Sequence, residues 1–148
     1  MGINVDSPDE ALCIQGNLRL SGAILQPSDR RVKTDISPAR TAEQLANIQA
    51  LPLYHYRLTS AWAKTVGRAP EQPQFGVLAQ ELQQVLPDAV TESADVELED
   101  GTTVDGLLVV DKERLFMEAV GAVQELAKQN QQLMQRMAAL EGLLGVLG

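Results

Sequence analysis

The last quarter of the chain carries an apolar repeat, and this feature most restricts what the sequence can fold into. From Asp111 onward the repeat alternates steps of three and four residues over more than four heptads. A repeat of this length predicts a coiled coil between chains, with an amphipathic helix on its own domain as the alternative. Asn130 takes an a position, where a polar residue sets register and strand number at some cost in stability. The seam residues are Phe116, Ala119, Val123, Leu126, Asn130, Leu133, Met137, Leu140, Leu144 and Leu147.

The charge and the scarce residue types exclude several classes of function. The net charge is −8 and the isoelectric point is about 4.6. We therefore expect no contact with nucleic acid phosphates, which requires a basic surface. One histidine and one cysteine cannot form a cluster of metal ligands, and the sequence offers no cofactor motif, so we expect neither metal nor cofactor. The cysteine, Cys13, lies in an apolar run and is expected to be a buried, inert thiol.

The sequence has no segment typical of a signal peptide or a membrane helix. Its N-terminus lacks a basic start followed by an apolar stretch. No window reaches the roughly 20 apolar residues that a membrane helix needs. We therefore expect the domain itself to be soluble, with a membrane reached only through regions outside this chain.

The first residues of the chain predict short strands. Residues 1–27 contain apolar positions separated by the turn signals Gly16-Asn17 and Ser21-Gly22. Because an isolated hairpin is marginal in water, these strands should pair with other copies of the chain. The apolar residues of this segment are Leu12, Ile14, Leu18, Leu20, Ile24 and Leu25.

The middle of the chain predicts alternating helices and strands. We expect a helix over 37–50 with Ser37 as N-cap and Pro38 at its first position, followed by a strand over 51–58. A surface loop over 63–73 should lead to a helix over 75–86, which Pro87 stops. The last predicted element is a hairpin over 96–110 around Asp100-Gly101. The resulting fold class is α+β, with a β stalk over 1–27, a mixed body over 28–110 and a coiled-coil helix over 111–148.

A serine and a lysine at the end of the stalk are the candidates for catalysis. A serine becomes a nucleophile when a neighbouring base takes its proton, and a lysine can be that base where burial lowers its pKa. Ser28 and Lys33 are five residues apart, which points them away from each other on a helix and to opposite sides of a straight strand. A bend or a neighbouring subunit must therefore bring them together. The spacing itself is common, so it does not separate catalysis from a pair of surface residues.

Several motifs occur in the order typical of a family of self-cleaving chaperones. The runs Ser28-Asp29-Arg30-Arg31-Val32-Lys33, Gly76-Val77-Leu78-Ala79-Gln80-Glu81-Leu82 and Leu86-Pro87-Asp88-Ala89-Val90 resemble the self-cleaving chaperone domain of phage tail spikes and endosialidases. Three further stretches are more similar to its cellular relative in myelin regulatory factor: Pro8-Asp9-Glu10-Ala11-Leu12 leading to Gly16-Asn17, Leu53-Tyr54-His55-Tyr56-Arg57, and Val110-Asp111-Lys112-Glu113-Arg114-Leu115-Phe116-Met117-Glu118 running on to 120–126. The resemblance spans roughly residues 8–140.

The resemblance implies a homotrimer that cuts its own backbone once. Carried over to this sequence, Ser28 is the nucleophile, Lys33 is its general base, and the bond between Pro27 and Ser28 is cut, so that the upstream region is released. Whether Lys33 acts on its own chain or on a neighbour stays open. The resemblance names no oxyanion donor, and the backbone N–H of Asp29 is a candidate.

The resemblance also implies two settings and leaves one rival. In a protein of the myelin type, the precursor would be anchored in the endoplasmic reticulum membrane and the upstream product, a transcription factor, would enter the nucleus. In a protein of the phage type, the upstream product would be a tail fibre of the virion. The rival interpretation is a trimerisation cap without catalysis. We expect no small-molecule substrate in any of these cases.

Five other residues have a structural and a functional interpretation. Gln80 and Glu81 either orient Lys33 or satisfy backbone groups at a subunit contact. His55, the only histidine, is expected to make a structural hydrogen bond. Arg30 and Arg31 are expected to form salt bridges to a neighbouring subunit.

Overall fold

The structure, a computed structural model, describes residues 1–6 and 8–147. It divides into two compact units, one of residues 1–37 and 52–110 and the other of residues 38–51 and 111–148. The predicted stalk and the predicted C-terminal helix include Ser7 and Gly148, which lie outside the described residues. Helices and strands occur together, so the α+β fold class is confirmed.

The first unit consists of short strands and short helices. Its described strands are β1 (Gly2–Ile3), β2 (Cys13–Ile14), β3 (Tyr54–Tyr56), β4 (Gln74–Gly76), β5 (Val90–Glu92), β6 (Val96–Glu97), β7 (Thr103–Val104) and β8 (Leu108–Val110). Its helices are α2 (Ser60–Thr65) and α3 (Ala79–Val85), with 3-10 turns at Arg30–Val32 and Pro87–Ala89. Strand β1 pairs with β2 in parallel, and β3 with β4, β5 with β8 and β6 with β7 are antiparallel pairs.

The predicted hairpin around Asp100-Gly101 is present, but it spans residues 96–104 instead of 96–110, because Leu108–Val110 pair with β5. Strands β6 and β7 flank it, and Gly101 has a φ of +81°, a conformation that favours glycine. The Asp100 carboxylate accepts hydrogen bonds from the Thr102 backbone N–H at 3.1 Å and from the Thr102 hydroxyl at 2.6 Å. These local bonds fix the turn, which is why a short sequence signal was sufficient here.

Three predicted bounds between residues 51 and 86 are wrong, and in each case the reason is local or tertiary hydrogen bonding. The predicted helix over 75–86 begins only at Ala79, because residues 74–76 pair with β3 as a strand. The predicted strand over 51–58 is reduced to Tyr54–Tyr56, the residues that pair with β4. The predicted loop over 63–73 begins later, because Thr59 caps helix α2 by accepting from the Trp62 backbone N–H at 3.3 Å.

The predicted strands of residues 1–27 form only in part. Gly2–Ile3 and Cys13–Ile14 pair with each other, whereas residues 15–27 form no strand in the single chain. The apolar side chains of this stretch, Leu18, Leu20, Ile24 and Leu25, are 51–89% exposed. Backbone without a neighbouring strand cannot form a ladder, and the strands of residues 1–27 were predicted to pair with other copies of the chain, so for residues 15–27 they stay a prediction.

The second unit packs helix α1 (Thr41–Ala50) against the long helix α4 (Lys112–Val146). The predicted long helix is confirmed, and Asp111 caps it by accepting from the Arg114 backbone N–H at 2.9 Å. Helix α1 starts at Thr41 rather than at Ser37 and Pro38 as predicted. The helical hydrogen bonds begin at the Arg40 carbonyl, which accepts from the Glu43 and Gln44 N–H groups, and a tertiary bond lies at this start, since the Thr41 hydroxyl donates to Glu125 of α4 at 2.8 Å.

The two faces of α4 differ in what they contact. The face toward α1 buries Glu118, Gly121, Ala122 and Glu125. The seam residues identified in the sequence lie mostly outside it: Phe116, Val123, Leu126, Leu133, Met137, Leu140, Leu144 and Leu147 are 49–84% exposed. The helix therefore packs on its own unit through a face other than the heptad seam. No helix among the described residues is long and apolar enough to span a membrane.

Candidate functional site

A 3-10 turn brings the predicted serine and lysine together within one chain. The turn spans Arg30–Val32, and Asp29 and Lys33 on either side of it have extended backbone. The Lys33 Nζ atom lies 2.6 Å from the Ser28 Oγ atom, at hydrogen-bond distance. The required bend is therefore present, and it needs no neighbouring subunit. The catalytic roles of Ser28 and Lys33 stay predictions at this point.

The side chain of Asp29 and that of Arg31 hold this turn from outside. The Asp29 Oδ1 atom accepts from the Arg31 backbone N–H at 2.8 Å, which is the bond of an N-cap. The Arg31 guanidinium also donates from Nε to both carboxylate oxygens, at 3.1 and 3.2 Å, and from Nη2 to Oδ2 at 2.7 Å. These bonds lower the pKa of Asp29 and raise the pKa of Arg31. Arg31, which was expected to pair with a neighbouring subunit, is thus paired within its own chain.

The site is open to water in the single chain. Residues 16–40, including Pro27, Ser28 and Lys33, are all exposed. Among the described residues, none accepts a hydrogen bond from the Asp29 backbone N–H. That donor, the candidate for an oxyanion contact, is therefore not engaged elsewhere. No group of three or more potential metal-ligating side chains comes together in residues 1–6 and 8–147.

Gln80 and Glu81 lie at the start of α3 and have no contact with Ser28 or Lys33 among the described hydrogen bonds and ion pairs. The Glu81 Oε1 atom accepts from the Tyr54 hydroxyl at 2.9 Å, whereas Gln80 is exposed. This hydrogen bond raises the pKa of Tyr54. The second oxygen of Glu81 is buried without a partner in the described part of the chain. Within one chain, then, Glu81 binds a side chain of the body instead of orienting Lys33.

Two single residues differ from their predictions. His55 packs against Phe75, with ring centroids 4.8 Å apart, in place of the structural hydrogen bond that was expected. Cys13 is half-buried rather than buried, and its Sγ atom lies 3.3 Å from the Asp9 carboxylate, to which it donates, and 3.3 Å from the Glu10 backbone N–H, from which it accepts. The thiol is held by polar partners and is not enclosed in an apolar core.

A polar cluster between α1 and α4 was not predicted from the sequence. Glu118 is 2% exposed and accepts from Arg114 and Asn47 at 2.7 Å each and from Gln44 at 3.3 Å. Glu125 is 5% exposed and accepts from Thr41. The available signal was the small pair Gly121-Ala122 between two glutamates one heptad apart, which marks a second packing face on the helix.

Two family models match this chain. Residues 28–91 match a peptidase family model described as the chaperone of endosialidase. Residues 108–143 match the model of the myelin regulatory factor ICA domain. The first match begins at Ser28, the residue predicted to become a new N-terminus, and the second covers most of α4.

Two curated relatives and one solved structure are similar to this chain. An uncharacterised protein of Dictyostelium discoideum is 41% identical over 131 residues, which are 86% of this chain and 12% of that protein. The Myelin gene regulatory factor-like A protein of the same organism is 36% identical over 146 residues, 97% of this chain and 16% of the relative. The chain thus spans less than a fifth of the length of these relatives. The solved structure of an intramolecular chaperone matches 69% of this chain and 99% of its own, with a TM-score of 0.47 and 18% identity. From the family models and the curated relatives we conclude that this chain belongs to the family of intramolecular chaperones that includes the chaperone of endosialidase and the ICA domain of myelin regulatory factor.

Proposed function

We propose that this chain is a trimeric chaperone that cuts its own backbone between Pro27 and Ser28 and so releases the region upstream of the cut. The observation that carries the proposal is the 2.6 Å distance between Lys33 Nζ and Ser28 Oγ. That pair lies at the first residues of the match to the endosialidase chaperone family, which supports the same assignment. The substrate is the peptide bond next to the nucleophile, so almost no binding entropy has to be lost.

The proposed reaction uses one serine, one lysine and one water. The Lys33 amine takes the proton of the Ser28 hydroxyl while Oγ attacks the carbonyl carbon of Pro27. The bond between that carbon and the Ser28 nitrogen breaks, and the lysine returns the proton to the leaving amine. Water then hydrolyses the resulting ester, which leaves a carboxylate on Pro27 and a free amino group and hydroxyl on Ser28. The Asp29 backbone N–H is our candidate donor to the oxyanion.

Assembly would supply what the single chain lacks. A lysine amine accepts a proton only in its neutral form, and contact with water favours the charged form. Both Ser28 and Lys33 are exposed in one chain, as are the apolar seam of α4 and the apolar side chains of residues 18–25. Large exposed apolar surfaces mark sites of association. We propose that a coiled coil along the seam and a β stalk of residues 1–27 cover these surfaces, and that the cut follows assembly.

We further propose the myelin type of whole protein over the phage type. The curated relative Myelin gene regulatory factor-like A aligns with almost the whole chain, and the ICA domain model matches its C-terminal helix. In that setting the upstream product would be a transcription factor released from an endoplasmic reticulum precursor to the nucleus. A tail fibre of a virion is the alternative upstream product.

The direct test is the intact mass of the expressed chain beside Ser28→Ala and Lys33→Ala. We expect the wild type to yield two fragments, residues 1–27 and 28–148, and both variants to stay whole. A wild-type chain that assembles as a trimer and stays whole would contradict self-cleavage.

Co-expression of the two variants tests whether Lys33 serves its own chain. The contact within one chain leads us to expect no cut in mixed trimers of Ser28→Ala and Lys33→Ala. A cut of the Lys33→Ala chain in such trimers would show that a neighbour's lysine acts in trans.

The second candidate function is a trimerisation cap without catalysis. The exposure of Ser28 and Lys33 favours it, because a solvated pair of this kind is ordinary at a protein surface. The cap predicts the same assembly but no fragment, so the mass measurement separates the two functions.

A further inference from the structure

The backbone and the packing hold the turn between Ser28 and Lys33 only weakly. Its two backbone hydrogen bonds, from Val32 N–H to Asp29 and from Lys33 N–H to Arg30, are both 3.2 Å long. None of its residues is buried, so no packing supports it. Short 3-10 turns have poor hydrogen-bond geometry and need further stabilisation. Something outside the backbone must therefore keep the lysine at the serine.

The side chains of Asp29 and Arg31 are the contacts that fit this need. We propose that they form a clamp, defined as the Asp29 carboxylate with the Arg31 backbone N–H and guanidinium, which positions Lys33 on Ser28; the inference rests on the proposed self-cleavage. One oxygen caps the turn at 2.8 Å and the guanidinium binds both oxygens. A bidentate pair fixes direction as well as distance. Both side chains have a positioning role, since the only group of either residue that we assign to the reaction itself is the Asp29 backbone N–H, which substitution of the side chain leaves in place.

The position of the clamp explains why it acts on the lysine. Asp29 follows the serine directly, and Arg31 lies at the centre of the turn, two residues before the lysine. Closing the clamp therefore fixes the backbone from the residue after the serine to the centre of the turn that leads to the lysine. Self-cleavage depends on such geometry, because a displacement of about 1 Å can lower a rate about 100-fold.

Arg30 provides a matched control for Arg31. It is the neighbouring arginine in the same turn, it is also exposed, and the described residues give it no side-chain hydrogen bond or ion pair. A general effect of losing a positive charge or a long side chain at this surface should appear in both variants. An effect of the clamp should appear only in the Arg31 variant.

The test compares self-cleavage rates of assembled variants. We expect Arg31→Ala to slow the cut about 10-fold to 100-fold and Arg30→Ala to change it less than about 2-fold. Arg31→Lys keeps the positive charge but loses the bidentate guanidinium, so it should cut faster than Arg31→Ala and more slowly than the wild type. Asp29→Asn keeps a capping oxygen and should be slowed less than Asp29→Ala. The double variant Asp29→Ala/Arg31→Ala should be no slower than Asp29→Ala alone, because the pair acts as one unit.

A second measurement tests the clamp without relying on cleavage. In the uncut Ser28→Ala protein, a nuclear Overhauser effect should connect the β protons of position 28 to the ε protons of Lys33. We expect Arg31→Ala to remove this signal and Arg30→Ala to keep it. Equal signals, or equal cleavage rates, in the two arginine variants would overturn the clamp. A wild type that stays whole while the signals differ as expected would overturn self-cleavage and leave the clamp in place.

Discussion

The buried Glu118 cluster and the Ser28 turn are both polar contacts, but they depend on their surroundings in opposite ways. Glu118 is 2% exposed and has three donors within its own unit. The pair of Ser28 and Lys33 is exposed and joined by one hydrogen bond. A buried carboxylate without donors would be strongly unfavourable, so the cluster has to be complete in one chain. The exposed pair carries no such requirement, and its completion can wait for assembly.

The two contacts therefore have different structural roles. The cluster fixes how α1 lies on α4, because its donors come from Gln44 and Asn47 on one helix and from Arg114 on the other. Moving either helix would separate a buried charge from its partners. The exposed pair can be assembled or withdrawn at little energetic cost, as the proposed self-cleavage after folding would require.

The largest expected effect comes from breaking assembly while leaving the cluster intact. We expect Leu133→Glu/Leu140→Glu to give a monomer and to lower self-cleavage at least 100-fold, because it places charges where the seam should be desolvated. Light scattering gives the oligomeric state and denaturing gels give the cut. The matched control is Gln132→Glu/Ala139→Glu, with the same charges and spacing but off the seam.

The seam variants also bear on where the cut is controlled. A monomer that still cuts at the wild-type rate would show that one chain is sufficient, as the contact between Ser28 and Lys33 would then allow. It would contradict the proposal that cleavage follows assembly.

The second-largest expected effect is a loss of stability of the Glu118 cluster at low pH. Burial by itself would raise the pKa of Glu118, but hydrogen bonds from Arg114, Asn47 and Gln44 outweigh it and lower that pKa. The pKa of Glu125 is lowered mainly by the hydrogen bonds from Thr41 and Gln129. A carboxylate whose pKa is lower in the folded state stabilises the fold at pH values above its pKa in the unfolded state, which is about 4.3 for glutamate. The stabilisation is lost as the pH falls through the pKa of the folded state.

We therefore expect the protection of α1 amides from hydrogen exchange to stay level from about pH 7 to 5 and to fall below about pH 4.3. The contribution of Glu118 to this loss of stability cannot exceed about 1.4 kcal/mol per pH unit, which is the limit for the uptake of one proton. Glu118→Gln/Glu125→Gln should flatten it, whereas Glu113→Gln, at an exposed position of the same helix, should not. An identical fall in all three proteins would assign the acid sensitivity to other carboxylates.

Long periodic patterns were predictable from the sequence, and short ones were less so. The seam of α4 extends over many residues, so a chance match was improbable and the helix is present. The run Phe75 to Leu86 is too short to separate strand from helix, and pairing with β3 decided its first residues. The start of α1 was missed because its helical hydrogen bonds begin at the Arg40 carbonyl, beside the tertiary contact of Thr41, and not at the capping signal of Ser37.

The candidate site was predictable only through resemblance. A spacing of five fits neither helix nor strand, and a 3-10 turn held by side chains leaves no periodic trace in the sequence. The Glu118 cluster left only a weak signal in the sequence, because glutamates on a helix are usually solvated. Only the small pair Gly121-Ala122 distinguished that face from an exposed one.

The smallest expected effect tests how closely the cluster controls helix packing. A methyl group at Gly121 would fall on the side-chain amide of Gln44, which donates to Glu118 at 3.3 Å. The amide would have to move and give up that bond, at a cost of about 1 kcal/mol. Alanine also gains about 1 kcal/mol of helix propensity over glycine. We therefore expect Gly121→Ala to change the free energy of unfolding by less than about 1 kcal/mol in urea titrations at fixed protein concentration.

Removing Gln44 should turn this near-zero effect into a stabilisation. In a Gln44→Ala background the methyl group meets no amide, so Gly121→Ala should stabilise the protein by about 1 kcal/mol. Gly142→Ala is the matched control, because a methyl group there has open space, and it should stabilise in both backgrounds alike. If Gly121→Ala instead destabilises the Gln44→Ala protein, the spacing of α1 and α4 is set by their backbones, and the buried cluster follows the packing rather than directing it.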